Sequence, residues 1–331
     1  MHKTVDVELI NTALAKRLQP FDLSAQSIAD VQYGLTEASL RGIDTHGVRL
    51  LDCYLKELAG GRANPIPEFK LHQRMPSAAT LDADGSLGIV AGMHAMRCAV
   101  DTAKTQGIAA VAVKNSNHYG AASIYTLYAV KQGMIGLTFS NTDALIAPFN
   151  GIEAMLGTNP ISMAAPGANG DIFCLDMACS QVAYSKVKYL MAQGEPVDET
   201  CMHTSPNDGQ VGALKGVGGY KGMGLTLMVQ ILTAILTGSL MDHQMSHLYE
   251  EPYDQPRQVS HFMIAINIAA FISPDAFESS LSALFKSIRD STRADPDVSI
   301  LVPGDLEQQQ YRQRTTEGIP LSPAEYQLLF E

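Results

Sequence analysis

No Lys/Arg cluster occurs anywhere in this chain, and 23 basic residues face 34 acidic ones, for a net charge of −11. Binding a phosphate backbone needs a basic stripe, so the balance argues against a nucleic-acid partner. Long hydrophobic runs are equally scarce. The one stretch that invites a membrane reading, Met223 to Leu236, falls short of the roughly 18–20 apolar residues that a span requires, and Gln230 and Thr233 interrupt it. No membrane association is therefore expected, and the stretch reads as a buried core helix, with Met223 and Met228 as core residues. The N-terminus carries Asp6 and Glu8 where a secretory signal would place its apolar region. Cysteine is sparse: Cys53, Cys98, Cys174, Cys179 and Cys201 are odd in number and form no CxxC pair. That usage suits reduced thiols in the cytoplasm rather than a disulfide framework or a zinc site.

Several nucleotide and metal fingerprints are missing too. The glycine-rich run from Gly216 to Gly224 departs from GxGxxG, no strand clearly precedes it, and GxxxxGK[ST] is absent, so a standard Rossmann or P-loop domain is not indicated. Its bland reading is a loop capping the following helix; its functional one is a phosphate cradle at a helix start, with Lys221 adding charge. His243 and His247 are four apart but lack the glutamate of HExxH, and no metal is expected there.

What remains is ordinary globular material: 331 residues, 46% hydrophobic and 17% charged. A chain of this size buries about three quarters of its unfolded surface and needs no covalent staple. Periodicity predicts helices first. Leu9, Ile10, Ala13, Leu14 and Leu18 share a face ahead of Pro20, and a second helix follows Ser24 with Ile28, Val31 and Leu35 inward. Gly42 and Gly47 bracket a break. Ile89, Met93, Met96, Val100 and Ala103 form another helical stripe, closed by Gly107. Then the pattern changes: Ile108–Val113 and Met134–Phe139 read as strands around a helix at Ala121–Lys131, which predicts a parallel pair, with Ile172–Leu175 a third strand. His118 follows the first of these strands, Asn141 and Thr142 the second, Asp176 the third. If the strands are parallel neighbours, all project at the carboxyl edge of one sheet, where open α/β sheets bind ligands.

Those residues suit hydride transfer at a carbinol carbon. The reaction needs a group to take and return the hydroxyl proton, a cation for a carboxylate, and a pocket for a nicotinamide. Histidine titrates near neutrality and arginine offers a bidentate fork. His46 and His118 each have a glycine close by, which would let backbone approach a ligand; each taken singly is also a structural histidine. Arg49, three residues after His46, is the candidate clamp, with a surface ion pair as its alternative. Asp176 serves equally as a helix cap.

Together the segments RGIDTHGVRLL (41–51), KNSNHYG (114–120), GTNPISMAAP (157–166), DMACS (176–180), GGYKGMGL (218–225) and SHFMIAIN (260–267) resemble the malate/L-lactate dehydrogenase type 2 family, in order and over nearly the whole chain. The resemblance implies an NAD(P)-dependent oxidoreductase that interconverts a small 2-hydroxy carboxylate and its 2-oxo acid. Two alternatives are a reductase of a cyclic or N-alkyl 2-imino acid, and an inactive dinucleotide- or metabolite-binding sensor. It assigns catalytic or substrate contacts to His118 and His46, with Arg49 on the substrate, and dinucleotide contacts to Thr142, Asp176, Met177, Ala178, Lys221, Pro303, Gly304 and Asp305. The implied fold is mixed α/β and non-Rossmann: a helical domain from both chain ends (1–72 with 276–331) and a cofactor-binding α/β domain (73–275), in a homodimer. The cofactor is NAD or NADP, with NAD favoured. Three departures accompany the likeness. Leu50 stands where many relatives carry arginine, with Arg49 one position earlier; the 192–216 stretch is shorter and lacks the usual tryptophan; and Met223 replaces a tyrosine.

Overall fold

The computed structural model describes residues 3–203 and 211–331; of the 192–216 stretch, 204–210 lie outside the described residues. In chain order it runs β1 (Lys3–Val5), α1 (Val7–Leu18), α2 (Ala25–Leu40), α3 (Leu51–Gly60), β2 (Lys70–Met75), β3 (Ala78–Asp82), α4 (Gly88–Gln106), β4 (Ile108–Ser116), α5 (Ser123–Lys131) and β5 (Met134–Ser140). There follow β6 (Ala144–Ile146), β7 (Leu156–Gly157), β8 (Ile161–Pro166), β9 (Ile172–Met177), α6 (Tyr184–Gln193) and α7 (Tyr220–Gln230). Then come β10 (Val259–Asn267), α8 (Pro274–Arg289), α9 (Asp305–Glu317), β11 (Ile319–Leu321) and α10 (Pro323–Phe330).

Local chemistry explains the helix starts. Asp6 accepts from the Glu8 N–H at 2.8 Å, and Ser24 from the Ser27 N–H at 3.0 Å, so each satisfies an N–H that its helix leaves unpaired. The face of α1 buries Ile10, Ala13, Leu14 and Leu18 as the spacing predicts, but Leu9 points out and is exposed. In α2, Val31 and Leu35 are buried and Ile28 half-buried. Ile89, Met93, Met96, Val100 and Ala103 are all buried on α4.

The seven-stranded sheet has the order β2-β3-β4-β10-β5-β8-β9, with only β3 and β4 paired in parallel. The expected β4–β5 parallel pair is therefore not a pair. Strand β10, from 120 residues further along, inserts between them and runs antiparallel to both (His261 faces Ser140 across one ladder). A hairpin-like return over long sequence separation cannot be seen from local periodicity. Because β4, β5 and β9 are each separated by one reversed strand, they still point the same way. The shared carboxyl edge survives, though its strands are not neighbours. Asp176 belongs to β9 rather than following it.

One apolar cluster runs from the terminal helices into the sheet, taking in Ile10, Leu35, Ile89, Ile124, Val111, Met263 and Ile319. The chain ends are tied by the antiparallel β1–β11 pair, Lys3 opposite Leu321. The expected buried helix at 223–236 is corrected. Leu227, Met228, Ile231, Ile235 and Leu236 are exposed, Ile231 to 58%, whereas Met223 packs partly buried against a second, smaller cluster. The apolar composition is real, but one face has no cover among the described residues. No described helix is long and apolar enough to cross a membrane.

Candidate functional site

The two histidines arrive from different elements. After α2 the chain makes two short 3-10 turns, Asp44–His46 and Val48–Leu50, before α3. Gly47 between them has no room for a side chain: a Cβ there would stand 2.0 Å from Ser39 Oγ, which accepts the Val48 N–H. Its smallness thus serves packing inside the protein rather than approach of a ligand. Asp44 is held by Arg314 of α9, so this penultimate helix braces the turn. His118 lies just past β4, in a loop against which the start of α4 packs so closely that a Cβ at Gly88 would meet the Asn117 carbonyl oxygen at 2.1 Å. Asn117 donates to the carbonyls of Gly85 and Ser86 at 2.9 and 3.1 Å.

The rings of His46 and His118 stack with centroids 5.8 Å apart and an angle of 24° between planes. His118 Nδ1 lies 3.2 Å from the Tyr54 hydroxyl, and His46 Nδ1 lies 3.0 Å from Thr45 Oγ1. Burial pushes His46 down to about 4. It pushes His118 well below the ordinary histidine value, helped by His46, Arg257 and His261. Both rings are therefore neutral near pH 7, able to accept a proton. Beneath them His261 of β10 bridges Ser140 (Nδ1, 2.8 Å) and Ser116 (Nε2, 2.8 Å), and Tyr119 stacks on its ring at 4.5 Å. That rivet joins β4, β10 and β5 under the His118 loop.

A cleft of about 1740 Å³ opens over this edge of the sheet. Single small-ligand pockets are roughly 300–1,000 Å³, so the space fits a dinucleotide together with a small substrate. His46, His118, Arg49, Thr142, Asp176, Met177, Ala178, Pro303 and Gly304 all line it. Thr142 Oγ1 accepts the Thr158 N–H at 2.9 Å. Asp176 accepts the Ser123 N–H at 2.8 Å, so it does cap α5 while facing the cleft, and burial raises its carboxyl. The Pro303 carbonyl accepts the Cys174 N–H at 3.0 Å, which lays the C-terminal segment along β9. Two expected contacts stand elsewhere. Asp305 is outside the lining and binds Arg289 at 2.6 Å. Lys221 is exposed on the first turn of α7, away from the cleft of its own chain.

Arg49 is exposed on the cleft wall. The carboxylates nearest it in sequence are already engaged, Asp44 by Arg314 and Asp52 by Lys56. Several lining residues escaped the sequence reading. Arg257 is 2% exposed and donates to Asp143, which also lies 3.7 Å from His247 Nε2. Tyr249 stands beside His247 (5.9 Å between rings), and Lys188 of α6 sits 4.9 Å over the Tyr249 ring. His247 was singled out for a different reason; His243 does not line the cleft. Tyr54, which bonds His118 without lining the cleft, had one weak signal, its position eight residues after His46 in the first turn of a helix. Arg257, a lone arginine in a loop of acids and prolines, had none.

A family model described as malate/L-lactate dehydrogenase matches residues 5–329. The chain is 38% identical over 288 residues to a malate dehydrogenase of Pyrococcus abyssi, covering 82% of this chain and 77% of the relative. It is 30% identical over 327 residues to an NAD(+) ureidoglycolate dehydrogenase of Escherichia coli O157:H7, covering 97% and 93%. Among solved structures it resembles malate dehydrogenase from Pyrococcus horikoshii OT3, with a TM-score of 0.90 and 31% identity over 98% of this chain and 93% of that one.

Proposed function

The chain belongs to the malate/L-lactate dehydrogenase family, nicotinamide-dependent oxidoreductases of small hydroxy acids, and we propose that His118 is its acid–base catalyst, with NAD as the preferred cofactor. The observation that carries this reading is the stacked His46–His118 pair, neutral and at the floor of a cleft large enough for cofactor and substrate. A nicotinamide, when bound, supplies the hydride acceptor or donor. The protein does the rest. His118 Nε2 takes the hydroxyl proton of a 2-hydroxy acid and returns it to the 2-oxo acid, while Tyr54 holds the ring by its other nitrogen. His46, stacked beside it, contacts the substrate in the same pocket, and Arg49 holds the carboxylate. Thr142, Asp176-Met177-Ala178 and Pro303-Gly304 would hold the dinucleotide, with Asp305 steadying that last turn through Arg289. NAD is favoured because the ureidoglycolate dehydrogenase among the relatives carries it in its name.

The working unit is a homodimer. The uncovered apolar face of α7 and the residues after it supports this, since contiguous exposed patches mark interaction surfaces. Lys221 sits on that same helix, and in such a dimer it would hold the cofactor of the adjoining copy. The helical unit is 1–72 with 276–331, and the α/β unit 73–275. Five free cysteines favour the reducing cytoplasm. Replacing His118 with alanine tests the core of the proposal: turnover of a 2-oxo acid drops by roughly 10²–10⁴-fold while NADH still binds, read by fluorescence titration. Undiminished turnover in that variant rejects the assignment.

A further inference from the structure

We infer that Glu57 is a positioning residue: its charge decides whether Arg62 holds the segment 246–250 in place beside the carboxylate clamp. The inference rests on the hydroxy-acid reading above, in which Arg49 is that clamp. Segment 246–250 brings His247, Leu248 and Tyr249 into the cleft, and Arg49 is near enough to Tyr249 to act on its phenol. Two buried arginines fasten it. Arg257 Nε donates to the Ser246 carbonyl at 3.1 Å, and Arg62 Nη1 to the Leu248 carbonyl at 2.8 Å. Arg62 Nη2 donates to the Glu250 carbonyl, and the guanidinium lies 4.4 Å from the Tyr253 ring centroid. The end of α3 reaches the same loop, because a Cβ at Gly60 would meet the Tyr253 carbonyl oxygen at 2.4 Å.

Glu57 of α3 sits among these groups without a bond of its own. It is fully buried, neither oxygen accepts a hydrogen bond among the described residues, and Oε1 is 3.9 Å from Arg62 Nη1. A buried carboxyl is ordinarily hydrogen-bonded, so an orphaned one marks a group whose partner is engaged elsewhere. Here the partner is Arg62. Both its terminal nitrogens are given to loop carbonyls, and among the described residues no other carboxylate lies within ion-pairing distance of it. One guanidinium therefore has two claimants. A neutral carboxyl leaves it on the carbonyls, the arrangement seen here. An ionised one draws it away, because a buried ion pair adds a Coulomb attraction that a carbonyl cannot match. Burial pushes Glu57 up to about 7 against the pull of Arg257 and Arg62, so the handover takes place near neutral pH. Of the titratable groups around it, burial pushes Cys53 and Tyr249 up to about 12, raises Tyr54 and Tyr253, and lowers His247. Asp143 is paired with Arg257, and the Glu250 carboxylate accepts the His247 N–H.

The test compares the full-length wild type with Glu57→Gln and Glu57→Asp at about pH 6 and pH 8.5. It reads kcat and KM for a 2-oxo acid with NADH, and hydrogen exchange of the amides of 247–251 in the absence of substrate. The ratio of wild-type KM to that of Glu57→Gln is expected to be about one at the lower pH. At the higher pH it rises roughly 2- to 10-fold, the worth of one hydrogen bond, while the ratios of kcat and of KM for NADH stay constant. Exchange protection, corrected for the intrinsic rate, falls at the higher pH in the wild type and stays level in Glu57→Gln. Glu57→Asp, which keeps the charge, keeps the dependence, and it carries the comparison with the wild type should Glu57→Gln not fold. A level KM ratio with level protection overturns the inference. So does a change confined to kcat, which assigns Glu57 to the His118–Tyr54 pair, or an equal loss of protection at both pH values, which makes it a structural acid only. If no 2-oxo acid is turned over, the oxidoreductase reading falls, and the substrate-free exchange arm still decides whether Glu57 governs the segment.

Discussion

Tyr54→Phe deletes one hydroxyl from a fully buried ring, and its cost can be worked from the geometry. Burial raises the Tyr54 phenol well above its ordinary value, so it stays protonated at any working pH. For His118 Nε2 to receive the substrate proton, Nδ1 must carry its own hydrogen and donate it to the Tyr54 oxygen across 3.2 Å. In the ground state that bond joins two neutral groups. As the proton transfers, the ring becomes an imidazolium and the bond charge-assisted, a class worth about 1.5–3 kcal/mol. Phenylalanine forfeits it where it matters, so kcat falls roughly 10- to 150-fold. Global stability changes far less: about 1 kcal/mol, or roughly 1–2 °C in Tm for a chain of this size. The assay is initial-rate oxidation of a 2-hydroxy acid across pH, paired with a melting curve. Without its acceptor the imidazolium is harder to form, so the acid limb of the profile moves to lower pH. Wild-type kcat and an unmoved limb refute the positioning role. A loss beyond 10³-fold at unchanged KM refutes it in the other direction, because the phenol would then be transferring the proton itself.

Two further substitutions have expected outcomes. Arg49→Lys raises KM for the carboxylate substrate by roughly tenfold with little change in kcat, since a point charge cannot reproduce a bidentate fork; an unaltered KM assigns the carboxylate to another cation. Glu57 is 0% exposed, neither of its oxygens accepts a hydrogen bond among the described residues, and burial pushes it up to about 7 against the pull of Arg257 and Arg62. Between about pH 4.5 and 7 the native state therefore keeps a proton that the unfolded chain has lost, and stability declines as pH rises through that window, by about 3 kcal/mol at most. Glu57→Gln removes the dependence, so its Tm gains on the wild type by about 5 °C between pH 5 and 8; parallel melting profiles would falsify this.

Much of the fold was legible because its signals are local. The α1, α2 and α4 stripes, the Ser24 cap and the strands at β4, β5 and β9 depend on residues within one or two turns of each other. The misreadings share the opposite property. Strand β10 separates β4 from β5 though it lies more than a hundred residues from either. The apolar run after Gly219 could not reveal whether its cover comes from this chain, because composition reports what must be buried and not by whom. The site divides the same way. His46, His118 and Arg49 stand in short, chemically loaded segments, whereas Arg257 and Asp143 acquire meaning only when a distance of 114 residues closes into an ion pair.

That hidden pair links the two demands on the cleft. An anion-binding site wants positive charge, and a general base wants its proton kept off until substrate arrives. Arg257 serves both ends, since its charge joins burial and the neighbouring His46 in pushing the His118 proton off. When a carboxylate enters beside Arg49, its negative charge opposes that field and raises the affinity of His118 for a proton. The histidine thus gains basicity in the complex, when the hydroxyl to be deprotonated is in place, and stays unprotonated in the empty cleft.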